Sequence, residues 1–339
     1  MSTAPIQISV CIANYNGIEV IDDCIRSVMD QQDAPNVEII VHDDASTDAS
    51  AGHIRRHYPD VKLIVSPENV GFCIANNRMA AEAKGEYLLL LNNDAALFPD
   101  ALATLYKAAE GIGASAIISL PQYDFESGSL LDRGCLLDPF LNSVPNLDPD
   151  RNEVGMVIGA CFWIDRVLWV ELGGLPEWFG SIGEDLYLCC RARLAGHPVR
   201  ALGASGYRHH VGQSFGGGKV ADGRLRSSFR RRALTERNKT FVMAIVYPTP
   251  YMQLLLPLHL MLLLFEGMLL SLLQRDTRYL REIYMPVLSA LIRQRGKWRP
   301  VRQGVQQSRR LARDQFYAVF DWTPYKLRMV VRHGLPMLR

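Results

Sequence analysis

Two stretches near the start of the chain decide its fold class: ISVCIANYNG at residues 8–17 and VEIIVHDDASTDAS at residues 37–50. Each is a short apolar run that ends in polar residues, and apolar residues at helical spacing follow it. Such alternation of strand and helix is typical of a parallel, doubly wound α/β sheet. Ligands of these sheets bind at the carboxyl ends of the strands, where the strand order reverses. The polar residues after each run therefore predict the place of a binding site.

The alternation continues to residue 120, and it predicts the following elements. Strands are expected at 8–13, 37–41, 62–65, 87–91 and 116–120, and helices at 20–29, 49–57, 71–83 and 100–109. Beyond these, the pattern predicts an irregular loop over 123–151, strands over 154–164 and 199–207, and a helix over 184–195. We expect a catalytic domain over residues 1–245 and a helical C-terminal region over 246–339.

The composition is that of a packed globular protein. The 339 residues are 48% hydrophobic and 21% charged, which excludes a disordered chain. The net charge is +2, but residues 275–339 carry 15 Lys and Arg against four Asp and Glu, a formal +11 that leaves −9 for the preceding 274 residues. A basic tail on an acidic body predicts an anionic surface as its partner. The apolar stretch before the tail favours lipid headgroups over nucleic acid.

The cysteines and the first residues predict the compartment. The seven cysteines are odd in number and form neither a CxxC pair nor zinc-ligand spacing, so they are expected to be reduced core residues. The start of the chain lacks the basic residues and long apolar run of a secretory signal. We therefore expect a cytoplasmic location.

Two acidic clusters lie at predicted strand ends. In Asp43-Asp44-Ala-Ser-Thr-Asp48, helix capping explains the hydroxyl residues, whereas two consecutive acids suggest that Asp43 hydrogen-bonds a nucleobase or ribose. In Asn92-Asn93-Asp94, the carboxylate follows a buried LLLL strand and can bind a hard divalent cation together with phosphate oxygens and water. An ordinary Asn and Asp turn is the alternative for the second cluster.

Seven motifs in order resemble those of the family 2 glycosyltransferases. They are ISVCIANYNG, VHDDASTDAS, ENVGFCIANN, YLLLLNNDA, GACFWIDR, GGLPEWF with GEDLYLCCR, and HHVGQS, which together span about residues 7–240. The subgroup with NxGFxxANN is similar to bacterial rhamnosyltransferase-like enzymes of surface polysaccharide synthesis. The resemblance implies a GT-A fold, a nucleotide-diphosphate sugar donor, Mg²⁺ or Mn²⁺, and inversion at the anomeric carbon.

The resemblance also implies residue roles on the donor side. It places Asp43 on the base, Asp94 on the metal, and Asn92 at the first position of the DxD-type motif, where many relatives have Asp. The other residues implied near the nucleotide are Ala13, Tyr15, Asn69, Gly71, Asn76 and Asn93. The Gly-rich loop 215–219 can close over a phosphate, with Lys219 as its cation.

The ED motif and the histidine motif carry the remaining chemistry. The resemblance implies that Asp185 is the catalytic base and that Glu184 orients the site or touches the acceptor, although acids are also common at helix starts. His209 matches the first position of HxxGxS and is the expected second metal ligand. His210 is the alternative ligand.

The acceptor side is predicted from weaker signals. Trp178 and Phe179 can stack on an acceptor sugar, with a core aromatic role as the alternative. Arg237-Asn238 resembles the RN pair of the family, which suggests contact with the acceptor or the pyrophosphate. Donor and acceptor identities are not readable from these residues, and dTDP-rhamnose is suggested only by likeness to the subgroup.

The apolar segment Tyr251–Leu273 is long enough to cross a bilayer. Pro257 and Glu266 interrupt it, and the basic residues downstream would have to be translocated. We therefore expect peripheral or re-entrant attachment to the cytoplasmic face of the cell membrane. A buried helix of a soluble bundle or an oligomer interface through the C-terminal helices is the alternative.

Two other functions compete with glycosyl transfer. A nucleotidyltransferase would share the α/β layout, but Asn14-Tyr-Asn-Gly17 stands where its GxGxR-like opening is expected. A non-catalytic, membrane-anchored protein that binds sugar nucleotides or polysaccharide is the second competitor. Asp94 and Asp185 speak against it, because binding alone needs neither a metal ligand nor a base.

Overall fold

The computed structural model describes residues 5–212, 219–221 and 224–338. The chain divides into two compact units. The first consists of residues 1–135, 145–192 and 197–210, and the second of residues 136–144, 193–196 and 211–339. The second unit thus begins earlier than the boundary expected at residue 245.

The first unit is built on a seven-stranded sheet. Its strands are β1 (Ile8–Asn14), β2 (Val37–Asp43), β3 (Lys62–Val65), β4 (Tyr87–Asn92), β6 (Ile117–Ser119), β11 (Cys161–Asp165) and β12 (Val199–Ala201). They lie in the order β12-β6-β11-β4-β1-β2-β3, and β11 alone runs antiparallel to its neighbours within this sheet. The doubly wound, mostly parallel sheet predicted from the sequence is confirmed.

Short strands form two smaller sheets. They are β5 (Ala95–Leu97), β7 (Gln122–Asp124), β8 (Leu130–Asp132), β9 (Cys135–Leu137), β10 (Ser143–Pro145) and β13 (Tyr207–His209). Strand β13 lies between β5 and β7, so it places the HHVGQS motif beside the loop that follows β4. Three of the six strands, β8, β9 and β10, begin within the stretch 123–151 that was expected to be an irregular loop, and β7 extends into it.

Helices flank the main sheet. They are α1 (Ile21–Met29), α2 (Ser50–His57), α3 (Phe72–Glu82), α4 (Ala101–Ile112), α5 (Arg166–Leu172) and α6 (Glu184–Leu194). Helix α1 buries Ile21, Cys24, Ile25 and Val28, the i, i+3, i+4, i+7 face expected of a helix on a core. Because both faces of the sheet are covered, β1 and β4 are almost continuously apolar. All seven cysteines are free and buried.

The second unit is mainly helical. Its elements are β14 (Lys219–Ala221), β15 (Arg224–Ser227), α7 (Phe229–Val246), α8 (Tyr251–Leu273), a π-helical segment (Tyr279–Tyr284), α9 (Met285–Arg293), α10 (Arg295–Gln307), α11 (Arg313–Tyr317), α12 (Tyr325–His333) and β16 (Met337–Leu338). Helix α7 is buried along its second half. It lies at the centre of this unit and includes the fully buried Glu236.

Helix α8 has two apolar faces with different surroundings. The packed face carries Leu256, His259, Leu263, Gly267 and Leu270. The exposed face carries Leu254, Leu258, Met261, Leu262, Phe265, Met268, Leu269 and Leu272, which we call the α8 stripe. Both sets recur at helical spacing. Within the described part of the chain, α8 is the one helix long and apolar enough to cross a membrane.

Candidate active site

The polar residues at the strand ends meet through a chain of buried hydrogen bonds. Asn14 at the end of β1 pairs in register with Asp43 at the end of β2. The Asn14 amide donates to Asp43 Oδ2 at 2.8 Å, and Asn93 Nδ2 donates to Asn14 Oδ1 at 2.9 Å. The chain therefore connects the first acidic cluster to the NND loop across three neighbouring strands.

Asn14 has a positioning role that the sequence analysis did not assign. It is 1% exposed, and a Cβ on Gly17 would lie 2.2 Å from Asn14 Oδ1 and 2.3 Å from Asn93 Nδ2. The close approach of the backbone at residue 17 thus holds both amides in place. Asn14 follows an apolar strand, and this position at a strand end was the signal available in the sequence.

Asp43 and Asp44 organise two different loops. Asp43 accepts hydrogen bonds from the Ser46 backbone N–H at 3.0 Å and the Ser46 hydroxyl at 2.7 Å, in addition to Asn14. Asp44 accepts from the backbone N–H groups of Val70 at 2.7 Å and Gly71 at 2.9 Å. Each acid of the pair is therefore stabilised by its own set of donors, which explains how two adjacent carboxylates are tolerated at one strand end.

Gly71 adopts a backbone that favours glycine. Its φ is +87°, and a Cβ there would lie 3.2 Å from the carbonyl oxygen of Gly180. The Cys73 backbone N–H donates to the same oxygen at 3.1 Å. The NVGF motif is thereby held against the glycine-rich segment that precedes the ED motif.

Asp94 and His209 form the candidate metal site. His209 Nε2 lies 3.1 Å from Asp94 Oδ1, and both residues are buried. Apart from His209 Nε2, Asp94 Oδ1 has no hydrogen-bond partner in the described part of the chain, and His209 Nδ1 has none there. The neighbouring His210 instead stacks on Phe125 with ring centroids 3.7 Å apart. Of the two histidines, His209 is thus the one whose ring nitrogen approaches the carboxylate.

The donor set of this pair suits Mg²⁺ or Mn²⁺. A carboxylate oxygen and an imidazole nitrogen are ligands for Mn²⁺, and the carboxylate also suits Mg²⁺. Among the described residues, no group of three or more His, Cys, Asp or Glu can hold a metal ion. The remaining coordination positions would be filled by diphosphate oxygens and water, as is usual for Mg²⁺ at substrate phosphates.

The turn at Gly159-Ala160 connects the NND motif to the ED motif. The Asn92 backbone N–H donates to the Ala160 carbonyl at 3.0 Å. The Gly159 backbone N–H donates to Asp185 Oδ2 at 3.1 Å. Asp185 is half-buried at the start of α6, where the helix dipole favours its charged form. One turn thus positions the predicted base and the predicted metal loop.

Residues 9–172 match the sequence model of the family described as glycosyl transferase family 2. They are a family 2 glycosyltransferase domain. Over 211 residues, this chain is 25% identical to the N-acetylglucosaminyl-diphospho-decaprenol L-rhamnosyltransferase of Mycobacterium tuberculosis, covering 53% of this chain and 68% of the relative. Over 90 residues, it is 31% identical to the putative teichuronic acid biosynthesis glycosyltransferase TuaG of Bacillus subtilis, covering 26% and 35%. The chain matches only about a third or less of the length of several other curated relatives.

The solved structures show the fold of the family 2 domain. The mannosyltransferase PcManGT from Pyrobaculum calidifontis, solved with GDP-Man and Mn²⁺, superposes with a TM-score of 0.51 at 18% identity, covering 90% of this chain and 86% of that one. The fold is GT-A, as the sequence predicted.

Asp132 is a buried carboxylate near His209 that the sequence analysis did not single out. It is buried on β8, and the Gly134 backbone N–H donates to its Oδ1 at 2.9 Å. Burial raises the pKa of Asp132 to about 7, although the Gly134 hydrogen bond and the nearby His209 oppose this. Asp132 lies in the stretch predicted to be irregular, which gave no positional signal.

The structure distributes the other predicted donor residues unevenly. Ala13 on β1 pairs in register with Asn92 on β4. Tyr15, two residues after Ala13, is 51% exposed. Asn69 donates to the Asp44 carbonyl at 3.3 Å. Asn76 is 1% exposed and donates to the Phe72 carbonyl at 2.9 Å, so it supports α3 rather than an open pocket.

The predicted acceptor residues are mostly enclosed. Phe179 is fully buried and packs on Trp178 and Tyr187, which favours the core alternative for Phe179. Arg237 donates to Asn238 Oδ1 at 2.9 Å, and Asn238 is buried. The Lys219 side chain and residues 213–218 lie outside what the structure describes.

Proposed function

We propose that this chain is an inverting glycosyltransferase that moves a sugar from a nucleotide-diphosphate donor to a saccharide or lipid-linked saccharide in cell-surface polysaccharide synthesis. The carrying observation is the Gly159-Ala160 turn, which binds the NND loop on one side and the Asp185 carboxylate on the other. A donor-binding loop and a base held by one rigid turn suit a reaction in which both substrates must be aligned.

The hydrogen bonds of Asp185 support its proposed role as the general base. Its carboxylate has one oxygen on the Gly159 N–H and the other on the Leu186 N–H at 2.7 Å, which favours the ionised form. The acceptor hydroxyl passes its proton to Asp185 while its oxygen bonds to the anomeric carbon. The bond from that carbon to the diphosphate oxygen breaks on the opposite face, which inverts the configuration.

Asp94 and His209 are the residues that would hold Mg²⁺ or Mn²⁺. Such an ion, when bound, neutralises negative charge on the departing diphosphate. The protein's own contribution is a buried carboxylate whose Oδ1, apart from the contact with His209, has no hydrogen-bond partner in the described part of the chain. Asn92 Nδ2 lies 3.5 Å from His209 Nε2 and helps to orient the imidazole.

The donor is proposed from the relatives. The M. tuberculosis relative is named an L-rhamnosyltransferase, and this supports dTDP-rhamnose as the first donor to test. Asp43 and the adjacent loops are the proposed nucleotide contacts. A panel of dTDP-, UDP- and GDP-sugars with Mn²⁺ distinguishes the donors, since only a bound ligand raises the melting temperature.

Asp185→Asn tests the reaction. We expect transfer to fall by about 10² to 10⁴ because general base assistance is lost, while donor affinity in a thermal-shift titration stays unchanged. Asp60→Asn, an exposed aspartate, is the matched control and should retain full activity. Unchanged turnover in Asp185→Asn would exclude this base, and the absence of both transfer and donor hydrolysis in the wild type would favour a pure binding protein.

We further propose peripheral attachment to the cytoplasmic face of the membrane through α8. Glu266, which interrupts the apolar segment, pairs with Arg232 at 2.6 Å and Lys326 at 2.8 Å, so its charge is balanced within the second unit. The α8 stripe points away from this packing and suits the acyl-chain boundary. Release of the chain from membranes by carbonate, but not by high salt, is expected; release by high salt alone would exclude apolar attachment.

A further inference from the structure

A cleft of about 470 Å³ in the second unit is lined by arginine, glutamine and threonine side chains. Arg299 lies on α10, Arg309 follows α10, and Arg313 begins α11. Arg302, Thr249 and three glutamines complete the lining. Its size is within the range of small-ligand sites.

The charge of this cleft is not balanced. In the described part of the chain, no carboxylate lines the cleft, and none of its four arginines forms a salt bridge. Arginine does not deprotonate in proteins, so the repulsion cannot be relieved by loss of a proton. An anion in the cleft would relieve it.

Arg302 differs from the other arginines of the lining because backbone carbonyl oxygens hold it. Its guanidinium donates to the carbonyl oxygens of Ala244 at 2.9 Å and Tyr247 at 2.8 Å, near the C-terminus of α7. It also donates to the Thr249 hydroxyl at 3.3 Å. All these partners are neutral, and burial lowers the pKa of Arg302. The carbonyl oxygens at the end of α7 account for the position of Arg302. They do not account for the presence of Arg299, Arg309 and Arg313 in the cleft.

An apolar surface begins next to the cleft. Thr249 lies two residues before α8, and Leu254, the first residue of the α8 stripe, is 66% exposed. The stripe continues to Leu272, which is 75% exposed. A soluble anion would leave this surface in water, whereas an amphiphile with a phosphate head and acyl chains would cover both features.

We propose that the arginine cleft binds the phosphate group of an anionic phospholipid while the α8 stripe enters the acyl-chain region beside it. This inference rests on the proposed membrane attachment and adds a headgroup site to it. Arg299, Arg309 and Arg313 contact the phosphate oxygens by charge-assisted hydrogen bonds, for which the guanidinium geometry is suited.

Vesicle sedimentation of the full chain tests the site. The vesicles are phosphatidylcholine alone and phosphatidylcholine with phosphatidylglycerol. The triple variant R299A/R309A/R313A should lose about a hundredfold or more in partition to the anionic vesicles, because it removes three donors of charge-assisted hydrogen bonds to the phosphate, each of which contributes about fivefold or more. Its partition to neutral vesicles, which depends on the α8 stripe, should not change.

The matched control is R281A/R293A/R295A, which removes the same charge from exposed positions of the same unit outside the cleft. It should lose less than about tenfold, because in this proposal these side chains form no hydrogen bonds to the phosphate and add only a screened attraction. Equal losses in the two triple variants would replace the site with diffuse attraction and overturn the proposal. If the alanine variant does not fold by far-UV circular dichroism, R299Q/R309Q/R313Q provides the same comparison.

Two further outcomes separate the ligand source and the underlying attachment. In the first outcome, inorganic phosphate raises the melting temperature of the wild type but not of R299A/R309A/R313A, while wild type and variant partition equally to anionic vesicles. The cleft would then bind a free phosphate rather than a lipid. A wild-type chain that binds neither vesicle refutes membrane attachment itself. Transfer to a soluble acceptor is measured separately and is independent of both results.

Discussion

Glu236→Gln should destabilise the second unit far more than the loss of an exposed ion pair would. Glu236 is fully buried on α7. Its carboxylate lies 2.7 Å from Lys326 Nζ, 2.9 Å from Lys239 Nζ and 3.2 Å from Arg232 Nε. The substitution removes the negative charge at nearly constant volume. Glu266 still pairs with Arg232 and Lys326, but Lys239 loses its ion pair with Glu236.

The magnitude follows from burial. Breaking a buried ion pair by removing one partner costs about 3 to 5 kcal/mol, because the remaining charges stay desolvated. Glu82→Gln is the matched control, since Glu82 pairs with Lys62 at the similar distance of 2.7 Å but both side chains are largely exposed. Exposed pairs contribute little to stability, because water and salt screen them. Urea unfolding at pH 7, followed by far-UV circular dichroism, compares the two variants.

The pH dependence of the free energy of unfolding provides a second test of the Glu236 cluster. Burial by itself would raise the pKa of Glu236, but the charges of Lys239, Lys326 and Arg232 outweigh it and hold this pKa well below its usual range. A depressed pKa stabilises the folded state above the unfolded value of about 4.3, and this stabilisation is lost as the pH falls through the folded value. The difference between wild type and Glu236→Gln should therefore be constant from about pH 6 to 7 and shrink in acid.

A cost for Glu236→Gln within about 1 kcal/mol of that for Glu82→Gln would refute the account of the buried cluster. If Glu236→Gln does not fold, the double variant E236Q/K326Q restores part of the charge balance and should be more stable than the single variant. No gain in the double variant would also contradict the account.

The remaining predictions concern the active site. His209→Ala should lower activity at limiting Mn²⁺ by about tenfold or more, and excess Mn²⁺ should partly restore it, as measured by metal titration of the transfer rate. The control is His210→Ala, because the His210 ring stacks on Phe125; this substitution should not shift the titration. An equal shift in the two variants would contradict the assignment of His209 as the ligand. Gly17→Ala should displace Asn14 and Asn93, cost about 1 to 3 kcal/mol by overpacking and raise the donor KM. Gly52→Ala, with nothing within 4 Å of its Cβ, should do neither, and a KM unchanged by Gly17→Ala would argue against the Asn14 chain.

The sequence alone determined the first four strands of the sheet and the edge at which the proposed site lies. Strands β1 to β4 begin at the predicted residues because each contains a short, mainly apolar run. The pattern is almost continuously apolar in the buried strands β1 and β4, as expected of parallel strands covered on both faces, whereas β3 is a partly exposed edge strand. Placing Asp43 and Asp94 at one edge required only that the carboxyl ends of parallel strands coincide. The motif order added the family, which the match over residues 9–172 bears out.

Tertiary structure decided which side chains contact one another. The closeness of Asp94 to His209 depends on β13 inserting between β5 and β7, a pairing between residues more than 100 positions apart that no local pattern encodes. The same holds for the turn that positions Asp185 and for Asp132 on a three-residue strand. For α8, composition indicated an apolar helix, but only packing divided it into a buried face and an exposed stripe, because an all-apolar helix has no polar face to show which side meets the protein.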